Sequence, residues 1–77
     1  MNVAELQALV QASFQGDLVE VSEEGGHFTV RVVSEKMAEL SAVKRQQAVY
    51  APLAECIASG EVHAVNIEAL TPSEHSA

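Results

Sequence analysis

The sequence is poor in the residues that staple, react or attract phosphate. Among 77 residues there is one cysteine, Cys56. A single thiol allows no disulfide within the chain and no CxxC redox or zinc motif, which fits a reducing compartment. Tryptophan is absent and aromatic residues make up 4%, so the core must come from Val, Leu, Ile and Ala. Positive charge is scarce: 4 Lys and Arg stand against 11 Asp and Glu, a formal net charge of −7. That sign opposes a phosphate backbone and disfavours general nucleic-acid binding. Lys44-Arg45 is the only adjacent basic pair. No apolar run approaches the roughly 18 residues of a membrane-spanning helix. The first residues have neither the basic start nor the apolar stretch of a signal peptide. The expectation is a cytoplasmic protein with no membrane association. There is no Gly-x-x-Gly, no phosphate loop, no Ser-His-Asp logic and no metalloprotease motif. A chain this short rarely encloses a substrate pocket on the order of several hundred cubic ångströms, so an enzyme is not expected.

What is present is regular. With 48% hydrophobic residues, the chain reads as one globular domain over residues 1–72. Asn2 with Glu5 three positions later resembles a capping box. Val3, Leu6, Leu9, Val10 and Phe14 recur at helical spacing, which predicts a helix over about residues 3–14 that Gly16 ends. Leu18–Ser22 alternates and predicts a strand, with Val19 and Val21 on one face. His27–Val33 alternates again, with Phe28, Val30 and Val32 on one face. The Gly-containing loop Glu23–Gly26 between them predicts a β-hairpin. Ser34–Leu40 is a connector with room for one helical turn. Ser41 is a good cap for a second long helix, in which Val43, Gln47, Tyr50, Leu53, Ala54 and Ile57 mark one face. Pro52 should kink that helix near Ala48, and Gly60 should stop it. Val62–Leu70 predicts a third strand, with His63, Val65, Ile67 and Ala69 on one face. Residues 73–77 are expected to be a short, flexible and frayed tail. A three-stranded sheet with helices on one face buries these stripes simply.

Several separated strings resemble the BolA-like family. They are Gly26-His27-Phe28, Val43-Lys44-Arg45-Gln46-Gln47-Ala48-Val49-Tyr50, Pro52-Leu53, Val62-His63-Ala64-Val65-Asn66-Ile67 and Thr71-Pro72. They cover about residues 3–72. The Gln46-Gln47 pair, where many members have Arg-His-Arg, resembles the acid-stress branch, IbaG or YrbA. The resemblance implies an α+β fold like a class II KH domain, in the order α-β-β-α-α-β. It implies pairing with a monothiol glutaredoxin and a 2Fe–2S cluster shared with that partner and glutathione. Members have also been described as DNA-binding regulators. The family's nearly invariant histidine falls on His63. The usual second ligand, a His or Cys in the loop between the first two strands, has only His27 as its counterpart. The connector has Met37-Ala38-Glu39 in place of the family's Phe-x-Gly, and the aromatic residue that many members carry after Thr71-Pro72 is missing.

Imidazole nitrogen can replace thiolate on iron, as the two histidines of Rieske centres do. His63 and His27 are therefore the candidate metal ligands. The plain alternative for His63 is a buried, hydrogen-bonded histidine, because it shares the parity of Val65 and Ile67. Cys56 reads as a buried thiol acting as a small hydrophobe. Lys44, Arg45 and Gln46 are candidates for contact with a protein partner or with nucleic acid; solvated side chains are the ordinary alternative. Two functions stay open: an accessory module for cluster sharing, trafficking or iron and stress signalling, and a nucleic-acid-binding regulator. By itself the chain is expected to be a monomer or a weak homodimer.

Overall fold

The structure, a computed structural model, describes residues 2–62 and 64–76. Helix α1 spans Val3–Ser13. Its first turn is closed by the expected capping box: Glu5 N–H donates to Asn2 Oδ1 at 2.8 Å, and Asn2 N–H donates to Glu5 Oε1 at 3.2 Å. A cap of this kind is worth about 1 kcal/mol. The other end is pinned by Gln11, whose Nε2 donates to the carbonyls of Phe14 and Asp17. Gly16, at φ +82°, makes the left-handed turn out of the helix.

Strand β1 (Leu18–Glu24) and strand β2 (His27–Val33) form the hairpin. The sequence placed Glu23 and Glu24 in the loop. The structure keeps both in β1 and turns in two residues, Gly25 and Gly26, at φ +60° and +88°. Positive φ at both central residues is the type I′ geometry, whose twist matches the strands it joins. The turn needs no longer loop because two glycines supply it without a Cβ penalty. Glu23 Oε2 also accepts from Gly26 N–H at 2.8 Å.

Strand β3 (Ala64–Leu70) lies beside β2 in parallel, giving the order β1-β2-β3. A parallel return needs a long crossover. It is made of a 3₁₀ turn (Glu35–Glu39), helix α2 (Ala42–Tyr50), a 3₁₀ turn (Ala51–Leu53) and helix α3 (Ala54–Ala58). The expected cap holds here too: Ser41 Oγ accepts from Lys44 N–H. Ser34 caps the first 3₁₀ turn as well, its Oγ accepting from Lys36 N–H. Pro52 does more than kink: it splits the helix into α2 and α3 through the 3₁₀ turn, because proline has no N–H to donate to Ala48.

The core lies on one side of the sheet. Leu6, Val10, Phe14, Val19, Phe28, Val30, Val32, Met37, Val49, Leu53, Cys56 and Val62 form one cluster. Each fully buried Leu or Val adds roughly 1.5–3 kcal/mol of transfer free energy. Cys56 is buried within it, as a small hydrophobe would be. The opposite side of the sheet carries Glu20, Ser22 and Glu24, His27, Thr29 and Arg31, and Asn66 and Glu68 in register across the strands.

Two further expectations need correction. The expected stripe holds beyond Pro52, where Leu53 is buried and Ile57 packs against the core, but its α2 part was misphased: Val43 and Tyr50 are 65% and 44% exposed, and the inward line of α2 runs through half-buried Arg45 and Ala48 and buried Val49 instead. Periodicity seeks apolar residues, so it passed over a line that begins with an arginine. The tail also differs. Pro72–Ser76 forms a short helix, α4. Thr71 N–H donates to Glu74 Oε1 at 2.8 Å, and Glu74 N–H donates to Thr71 Oγ1 at 3.1 Å. That is a second capping box with proline at the first helical position, and Thr71-Pro72-Ser73-Glu74 carries its signature.

Candidate functional site

The hairpin brings His27 to one end of the sheet. It is the first residue of β2, it is exposed, and it faces the open side. Its neighbours in register are Glu24 on β1 and Ala64 on β3. Ala64 is the residue that follows His63 in the sequence. His63 itself, the other candidate ligand, lies outside the described residues. Among the described residues no group of three or more His, Cys, Asp or Glu side chains is arranged to hold a metal ion. Cys56 sits in the core on α3, so the described part of the chain brings it no nearer to solvent. An exposed imidazole at a strand end fits as one donor to a metal whose other donors come from elsewhere; the chain's described donors do not make a closed cage.

The second group, Lys44, Arg45 and Gln46, lies on α2, and the three side chains have different fates. Lys44 is exposed. Arg45 is 19% exposed and works inward. Its Nε donates to the carbonyls of Met37 at 2.8 Å and Leu40 at 3.2 Å. Its Nη1 reaches Ala69 O at 3.4 Å and Glu74 Oε1 at 2.8 Å. One guanidinium thus ties the connector, the edge of β3 and α4 together. The rigid fork of arginine suits such a set of acceptors, where lysine offers a single point. Gln46 is exposed but also turned to the protein: Nε2 donates to Ile67 O at 3.1 Å. Three residues along a strand are about 10 Å, so this group, beside Ile67 and Ala69, is set along β3 from the end where His27 and Ala64 pair.

The carboxylate that meets Arg45 is electrostatically held. The backbone N–H of Thr71, and then the Arg45 guanidinium, keep Glu74 below its ordinary pKa of 4.5. On the open side of the sheet, Arg31 Nε donates to Glu68 Oε1 at 2.9 Å, and Nη1 lies 3.5 Å from Glu20 Oε1. Glu68 raises the Arg31 pKa above its ordinary value, chiefly through that hydrogen bond. This three-strand ladder of charges went unread in the sequence, since its members lie far apart in the chain; only the register joins them.

Comparison with known proteins adds to this geometry. The profile of the family described as "BolA-like protein" matches residues 7–74. The chain is 44% identical over 70 residues to the acid stress protein IbaG of Escherichia coli (strain K12), covering 91% of this chain and 83% of that protein. Among solved structures it is similar to BolA1 from Arabidopsis thaliana, with a TM-score of 0.79 and 27% identity over 96% of each chain. It is also similar to the BolA domain of SufE1 from Arabidopsis thaliana, with a TM-score of 0.77 and 27% identity over 94% of this chain and 93% of that one.

Proposed function

The chain belongs to the BolA-like protein family, and from that premise we propose that it is a binding module, without turnover of its own. In this reading it docks on a monothiol glutaredoxin in the cytoplasm and helps hold or hand on a 2Fe–2S cluster. The observation that carries the reading is the parallel register that starts at His27 and Ala64. It supports a ligand edge at this end of the sheet, drawing on His27 and on His63, the sequence neighbour of Ala64. Imidazoles supply part of a coordination sphere, and the partner and glutathione supply thiolates. The cluster is then cargo at an interface. The work of this chain's own residues is to present nitrogen donors and to orient the partner.

The internal bonds of Arg45 bear on the alternative, a nucleic-acid-binding regulator. Of the adjacent basic pair, only Lys44 keeps its charge turned outward. It lies in an acid-free run, Leu40–Ala54, which suits contact with an acidic patch on a protein.

The test is anaerobic cluster reconstitution with a monothiol glutaredoxin, read by visible circular dichroism. The expected result is a spectrum distinct from glutaredoxin alone that is lost with His63→Ala and altered with His27→Ala. An unchanged glutaredoxin spectrum with no complex by size exclusion would refute the reading.

A further inference from the structure

The sheet has two outer edges, and the helices treat them differently. At β3, Gln46 and Arg45 reach the carbonyls of Ile67 and Ala69. At β1, Gln7 Nε2 donates to Val19 O at 2.8 Å, near the start of the strand. Glu24 and His27 flank a two-residue turn and therefore form a hydrogen-bonded pair. Alternation from that pair turns the backbone N–H and C=O of Val21 and Glu23 outward. Among the described residues, these four groups have no hydrogen-bond partner. An edge in this state is a template for one more strand.

The side chains restrict what that strand can be. Glu20 and Glu24 stand on the open face and Glu23 on the helix face, and all three are exposed. Glu23 and Glu24 have no ion-pair partner among the described residues. A second copy of β1 against this edge would set carboxylates against carboxylates, which is destabilising. Between the acids, Val21 is half-buried and apolar. A shallow hollow beside it on the open face is lined by Glu20, Ser22, Thr29 and Arg31.

We infer that the Val21–Glu24 edge of β1 is a docking site for an extended basic segment of a partner protein. The segment pairs as a fourth strand, with Lys or Arg at alternate positions toward Glu20 and Glu24 and an apolar residue between them toward Val21. This surface uses neither histidine, so it stands independently of cluster binding.

The probe is a capped heptapeptide of alternating Lys and Val, titrated into the isotopically labelled full chain and followed by amide chemical shifts. Shifts and exchange protection are expected at Val21 and Glu23. A peptide of the same sequence, N-methylated at the amides facing β1, keeps its charge and loses strand pairing; it is expected to bind about tenfold more weakly or worse, from two lost hydrogen bonds. Val21→Pro removes an outward donor at an edge, where proline is tolerated, and should abolish binding. The Glu23→Lys/Glu24→Lys double variant provides a second loss of binding should the proline variant fail to fold. Equal binding of the methylated peptide, shifts centred elsewhere, or no binding at millimolar peptide would each overturn the inference. So would concentration-dependent shifts of β1 without peptide, which would mean that a second copy occupies the edge.

Discussion

A charged side chain bound inward costs more to remove than one in solvent, and Arg45 is such a residue. Truncation leaves the carbonyl of Leu40 without its donor, leaves that of Met37 with the Leu40 N–H alone, and frees Glu74 from its cation. Arg45→Ala is expected to lower the unfolding free energy by about 2–3 kcal/mol in urea titrations. Arg45→Lys should recover only a small part, because an ammonium cannot reproduce the fork. A near-neutral Arg45→Ala would mean that the guanidinium is free for a partner after all. Glu74 gives a pH signature at the same contact. Its folded pKa lies below the ordinary 4.5. The contribution is therefore present above the unfolded value and lost as pH falls through the folded one. The amide resonances of Thr71 and Glu74 should move in that acidic window as α4 loosens. Glu74→Gln should abolish that transition, keeping most of the capping geometry without the titration.

At the scale of elements, capping chemistry was legible and helix phase was not. Asn2 with Glu5 and Ser41 act as their residue types predict, since a cap depends on three or four consecutive residues. Phase depends on the whole helix, and in α2 an arginine on the inward line and Val43 and Tyr50 on the outward one reversed the apparent face. The corrected phase makes a contrast that one series can measure. Leu53→Ala should cost about 2–5 kcal/mol, as core truncations do, whereas Val43→Ala should stay within about 0.5 kcal/mol. Similar losses at both sites would restore the original phasing. The hairpin offers a second element-scale test. Gly26 sits at φ +88° with open space where a Cβ would point. The cost of Gly26→Ala is then backbone strain alone, about 1 kcal/mol. Of the candidate site, the residue types were readable, and the pairing of His27 with Ala64 was not. Two alternating runs predict two strands, but only the crossover decides that β3 runs parallel to β2 and starts at the same end.

At the scale of the whole molecule the sheet has one uncovered side, which carries Glu20, Glu24 and Glu68, and Arg31 sits in the middle of that side. It stands between Glu20 and Glu68 on the flanking strands. Removing it changes two things together: two carboxylates lose the cation between them, and the net charge of −7 becomes more negative. Both effects are electrostatic and solvent-accessible, so both should be screened. At about 0.1 M salt the Debye length is about 10 Å, and at 1 M about 3 Å. Arg31→Gln should therefore be clearly less stable than the parent in dilute buffer, and the gap should narrow as salt rises. The variant's stability should also climb more steeply with salt than the parent's. Urea unfolding of both proteins across a salt series reads this directly. A gap that stays constant with salt would assign the role of Arg31 to the hydrogen bond with Glu68 and to packing of its stem on the sheet. It would also mean that the acidic surface costs the fold little, leaving the glutamates of β1 free to serve a basic partner without a stability penalty.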